Sequence, residues 1–266
     1  MDSRYEQEAK TYRKKDAIIA LCAFVAVTLL TVVKWAVVEN FELAGFLLFA
    51  VRFALPAIVL VMVFTILIIK KESFASVGLH KYKLKQVLGL TLFIVSIFTA
   101  FGLVPSLISG AEFIAPLSII SVLATTFVLA AFEDIFFVGY LQTRLYGIFK
   151  GNVSAILVGA VLFALMHIPQ RLLGGFAGFD MIGTLLFLCL MHVILVLIFR
   201  RYFSLVPVFA AHMLNNLYSM GQLWEYYDSD LVESWTTIGI ILLLITFVVW
   251  EIVQKRRNRF PKALDN

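Results

Sequence analysis

The chain has 266 residues, of which 62% are hydrophobic and only 15% charged. A soluble domain is nearer about half apolar and about a quarter charged. Here the apolar residues come in long runs, so the composition excludes an ordinary soluble enzyme and points to a membrane protein. The net charge of +5 sits at the ends of those runs, as topology signals do, and argues against a nucleic-acid partner.

Residues 1–16 read as a polar cytoplasmic tail, and 17–38 as the first span. That run is too long for a cleavable signal peptide and has no small-residue cleavage site after it. The second span is about 44–69, followed by a basic connection, KKESFASVGLHKYKLK, at 70–85. The third is about 86–108, closing in the turn-rich SLISGAE. The fourth helix starts near Pro116 and continues to Gly147, longer than the about 20 residues a bilayer needs, which implies tilt or a kink. The fifth is about 153–167. Ala155 and Gly159 give it a small-xxx-small face for close packing. It is expected to stop at His167-Ile168-Pro169, because the residue before proline disfavours helix. The sixth, seventh and eighth are about 180–199, 204–221 and 236–254, and a basic tail follows at 255–266. Cys22 and Cys189 lie within apolar runs and suggest neither a disulfide nor a metal motif.

Eight spans predict an all-α polytopic membrane protein with a testable orientation. With the N-terminus cytoplasmic, the inside segments hold 19 of the 22 Lys and Arg residues; Lys34, Arg52 and Arg171 are the others. The segment 222–235 carries Glu225, Asp228, Asp230 and Glu233 with no basic residue, and falls outside. This asymmetry predicts both termini in the cytoplasm.

Few strongly polar side chains lie deep in the spans. They are Glu133 and Asp134 in helix four, His167 in helix five, the isolated His192 in helix six, and His212, Asn215 and Asn216 in helix seven. Acidic residues at such depth cost roughly 2.5–3.5 kcal/mol on insertion scales and are usually paired and functional. At 1.5 Å per residue, Glu133 and His167 lie roughly 21 Å from the inner ends of their helices, and His212 and Asn216 roughly 12–18 Å. His212 and Asn216 are four apart and share a helix face. Asn215 points off that face and reads as structural, as does His192. Adjacent on a helix, Glu133 and Asp134 point in different directions and cannot act as one bidentate unit. Three readings stay open on spacing alone. An acid and an imidazole could activate water beside a His/Asn oxyanion site. Two His and a carboxylate could hold zinc. Or the residues could hold helices together or relay protons.

E-D-x-x-x-V-G-Y-L-Q at Glu133–Gln142, F-x-x-x-H at Phe163–His167 and H-x-x-x-N at His212–Asn216 resemble the three motifs of the CAAX protease and bacteriocin-processing (CPBP, or Abi) family of intramembrane endopeptidases. The likeness covers about 70–221. The resemblance implies that Glu133 is the general base, that His167 helps to hold the water, that His212 and Asn216 stabilise the oxyanion, and that Asp134 supports them. It implies a mechanism with no required cofactor; a zinc-dependent variant would draw on Glu133, His167 and His212. The implied partners are membrane lipid and a peptide or protein substrate, prenylated or a leader or bacteriocin peptide, with no nucleic acid. The basic inner loops suit a bacterial plasma membrane.

Two positions depart from the family pattern. Asp134 replaces the usual second glutamate, and Val138 stands where the family has an arginine. Asp134 therefore lacks the counterion four residues on. A catalytically degenerate member acting as a membrane immunity or scaffold protein is the rival reading, and a transporter a third.

Overall fold

A computed structural model describes residues 4–41, 45–219, 222–226 and 229–259. The chain is helical almost throughout. In chain order the helices are α1 (Arg4–Ala9), α2 (Lys14–Asn40), α3 (Gly45–Ile69), α4 (Leu84–Ile108), α5 (Pro116–Gly147), α6 (Asn152–Leu173), α7 (Gly178–Tyr202), α8 (Val206–Ser219) and α9 (Ser229–Arg259). Each of the eight expected spans is a helix. Among the described residues six are long and apolar enough to cross a membrane: α2, α4, α5, α6, α7 and α9. The chain is a multi-pass membrane protein.

Helix α3 matches the expected second span of about 44–69. In α3, whose Arg52 side chain lies outside the described ones, the apolar stretch is Phe53–Ile69. The 14 described residues of α8 extend about 21 Å. Two boundaries are corrected. Helix α6 does not end at His167; it runs on through Pro169 to Leu173. Proline is tolerated in helices that lie in lipid, where leaving the helix would expose more backbone than the one lost bond. The stop comes at glycine instead: Gly174 N–H bonds Gln170 O at 3.0 Å, and Gly175 takes φ +81°. Helix α9 starts at Ser229, so Asp230 lies in its first turn, where the helix dipole favours an acid, and not in an outer loop.

The described chain forms two compact units. The amino-terminal unit comprises residues 4–82 and 128–205. Here α6 packs along α7 and α2, and α2 also meets α3. Buried Ala155 and Ala160, with Gly159 between them, let the α6 backbone come close to its neighbours, as the small-residue spacing predicts. Residues 4–12 are no free tail. Tyr5 is fully buried, edge-on to Tyr146, Phe199 and Phe203. Glu6 pairs with Arg200 at 3.2 Å and accepts from Asn152. The 70–82 connection also turns inward: Ser76 and Val77 are buried in a short 3-10 turn.

The carboxyl-terminal unit comprises residues 83–127 and 206–259. Helix α4 contains a π turn at Thr99–Leu103. Gly102 there admits the Tyr218 ring of α8; a Cβ would meet it at 2.7 Å. A two-stranded antiparallel ribbon, Glu112–Phe113 with Trp224–Tyr226, brings Phe113 against Trp224 at 4.4 Å. The apolar pattern gave no sign of it, because so short a ribbon has no periodicity to read.

Candidate active site

Helix α5 carries the acidic pair across a change of helix type. Pro116–Glu133 is α-helical, and Asp134–Leu141 is a π-helix. The register is explicit at its end, where Gln142 N–H bonds Phe137 O, five residues back. Such π segments are rare and collect at functional sites. The expected kink in this long helix is therefore a widened turn. One cause is visible at Gly139: a Cβ there would lie 2.7 Å from the Val77 carbonyl oxygen. The α5 backbone meets the inward 74–77 turn where no side chain fits. Val138 is 1% exposed and apolar, and Asp134 is itself 1% exposed.

Glu133 and His167 come together within the amino-terminal unit. Glu133 Oε2 lies 3.8 Å from His167 Nε2, and both side chains are mostly buried. The other ring nitrogen is committed: Nδ1–H donates to Phe163 O at 2.9 Å. In the neutral ring that bond leaves the lone pair on Nε2, facing the carboxylate. Phe163 also lays its ring against the imidazole, centroids 4.8 Å apart. Two acceptors at 3.8 Å are too far apart for a direct hydrogen bond and well spaced to share a bridging water. A water donating one hydrogen to each would present its oxygen lone pair as a nucleophile.

His212, Asn215 and Asn216 belong to α8 of the carboxyl-terminal unit. His212 and Asn215 are each 5% exposed. Asn215 does not stand apart from the His212–Asn216 face: its Nδ2 donates to Asn216 Oδ1 at 3.3 Å. Adjacent side chains can lean together, which spacing rules ignore. The contact fixes Asn216 with its oxygen satisfied and its NH₂ as the donor end.

Residues 115–218 match the family model for Rce1-like proteins, described as type II CAAX prenyl endopeptidase Rce1-like. This segment is Rce1-like. The match supports the CPBP family and takes in Glu133, Asp134, His167, His212 and Asn216; it is narrower than the 70–221 read from the motifs. No curated protein matches the chain. The Rce1-like segment is that of a protease family, so a peptide or protein substrate and a membrane setting go together. Within the amino-terminal unit no third described His, Cys, Asp or Glu joins Glu133 and His167 in a group that could hold a metal ion.

Sequence reasoning read His192 as structural and took Gln142 only as the last residue of the first motif. In the structure they are buried partners, with His192 Nε2–H donating to Gln142 Oε1 at 3.2 Å. The available signal was that Gln142 closes the first motif and that His192 is a polar residue inside a span.

Proposed function

We propose that the chain is an intramembrane endopeptidase that hydrolyses a peptide bond in a membrane-associated or lipidated peptide or protein. One observation carries the reading: Glu133 Oε2 and His167 Nε2 are held 3.8 Å apart with Nδ1 tied to Phe163. Water held by this pair attacks the scissile carbonyl carbon while Glu133 takes its proton. His212 and Asn216 donate to the oxyanion of the tetrahedral intermediate. Glu133 then returns the proton to the departing amine, and the peptide C–N bond breaks. Asp134 supports Glu133 from within the π segment. The prenylated or leader-type character of the substrate, the bacterial plasma membrane and the cytoplasmic termini belong to the same reading, resting on the family and on the charge asymmetry.

Purified protein should cleave members of a small panel of membrane-embedded peptides, and Glu133→Ala should abolish the products. Equal cleavage by that variant removes the proposed base. Loss of cleavage with a chelator, restored by zinc, favours the variant in which Glu133, His167 and His212 hold the metal.

Val138 in place of the family arginine favours one other reading, a non-catalytic member that binds a peptide as an immunity or scaffold factor. Its cellular phenotype would survive Glu133→Gln and His167→Ala at equal expression, whereas a protease phenotype would not.

A further inference from the structure

His192 lies outside the three motifs, yet its contacts lead to the candidate base. It is fully buried on α7. Its Nε2–H donates to Gln142 Oε1, at the residue where the π segment of α5 gives way to α-helix. Its ring stacks on Phe163, centroids 5.2 Å apart and planes 28° apart. Phe163 in turn supplies the carbonyl that holds His167 Nδ1 and the ring that backs the imidazole. Phe137, within the π segment, meets Phe163 edge-on at 5.2 Å. Room for the polar pair comes from Gly159, where a Cβ would lie 2.0 Å from Gln142 Oε1 and 3.1 Å from His192 Nε2.

Two buried polar side chains are an expensive way to fill an apolar layer, since each must be stripped of water. An apolar pair of the same shape packs as well or better. A hydrogen bond adds direction: it fixes the plane of the His192 ring, and so the plane on which Phe163 rests.

We propose that His192, held by Gln142 in the space left by Gly159, is a positioning residue that sets the orientation of His167 through the Phe163 ring. The inference rests on the hydrolytic reading above. It names a further residue needed for the rate, one that touches neither water nor substrate.

Two double variants isolate the ring. His192→Leu/Gln142→Leu and His192→Phe/Gln142→Leu both replace the polar pair with apolar groups, and they differ in whether a ring still faces Phe163. On a peptide that the wild type cleaves, the leucine pair should lower kcat about tenfold with KM unchanged, and the phenylalanine pair, which keeps the ring without the bond that fixes its plane, should fall between it and the wild type. The ring-nitrogen resonances of His167, read at one pH in the full-length protein, should move in the leucine pair and move less in the phenylalanine pair. Equal kcat in the two, a loss confined to KM, or unmoved His167 resonances in the leucine pair overturns the proposal. So does a leucine pair that fails to fold while the phenylalanine pair folds, since the ring is then structural. A wild type that cleaves nothing tells against hydrolysis alone; the resonances still report whether His192 orients His167.

Discussion

Helix α5 holds two polar clusters eleven residues apart, and they are built in opposite ways. At its end, Arg144 is 1% exposed and surrounded by acceptors. Its Nη1 donates to Thr143 Oγ1 at 2.7 Å and to Ser76 O at 3.3 Å, and its Nη2 to Ser76 Oγ at 3.1 Å and to the Glu72 carboxylate. Tyr12 and Tyr140 lie under the guanidinium at 4.3 and 4.5 Å. At Glu133 the carboxylate meets His167 at 3.8 Å, across a gap the size of a bridging contact. Both terminal nitrogens of Arg144 are bonded by its own chain, and the side chain binds the 70–82 connection, the residues before α2 and α5 into one body. The Glu133–His167 pair is held in place from behind, through Phe163, and keeps its facing atoms at water-sharing distance. Saturation makes a joint; a held gap makes a place for a reactant.

The sharpest way to break this comparison is to change each cluster and watch both activity and unfolding. Glu133→Gln keeps the shape and removes the base, so cleavage should fall about 10²–10⁴-fold, the usual contribution of general base catalysis, with the unfolding temperature in detergent unchanged. Arg144→Leu should do the reverse, losing stability by about 3–5 kcal/mol, because Glu72 and the Ser76 carbonyl stay behind without their cation. Thermal unfolding followed by circular dichroism reads it directly. Activity per folded molecule should survive. A Glu133→Gln protein that melts early, or an Arg144→Leu protein that melts normally, would reverse the two assignments.

A smaller effect tests why the π segment exists. Gly139→Ala places a methyl group 2.7 Å from the Val77 carbonyl oxygen and 3.3 Å from a Leu205 methyl. The 74–77 turn must retreat or α5 must shift, at a cost of about 1–3 kcal/mol for an overpacked contact. The lowered midpoint should be accompanied by faster proteolysis near Ser76. Equal midpoints would mean that the turn yields freely, and that contact with it does not set the π register.

The helices were legible because long apolar runs bounded by Lys and Arg leave few alternatives in lipid. The acid and the imidazole were legible because polar residues at membrane depth need a reason. What escaped was set by contacts distant in sequence. The π segment Asp134–Leu141 meets Val77, far away in the chain, at Gly139, and no local spacing reports that contact. Pro169 was read as a stop because the rule for soluble helices was applied in a medium where leaving the helix costs more. Tyr5 and Tyr12 looked like part of a polar tail because their partners, Tyr146 and Arg144, lie more than a hundred residues on. Burial raises the pKa of both phenols, so they stay neutral anchors at ordinary pH.

The mildest expected effect concerns pH at the same membrane-flanking connection. His80 joins it to the end of α7: Nε2–H donates to Phe203 O, and Nδ1 accepts the Tyr82 N–H at 3.1 Å. The second bond requires the neutral ring. Partial burial lowers the His80 pKa, and the nearby Arg4 guanidinium, stacked over Tyr82 at 4.7 Å, acts in the same sense. In the unfolded chain the imidazole takes up its proton near about pH 6.5, and in the folded protein only at lower pH. Between those values the unfolded state binds more protons, so stability rises with pH. The contribution is present above about pH 6.5 and is lost as the pH falls below it. Wild-type protein should therefore lose unfolding temperature between about pH 7.5 and about pH 5.5, and His80→Gln should lose less over the same range. The group is only partly buried, so the difference should be small beside those at Arg144 and Gly139. Parallel curves for the two proteins would show that His80 stays uncharged in both states, or charges equally in both, and that the connection is held by Arg144 and the buried Ser76–Val77 turn alone.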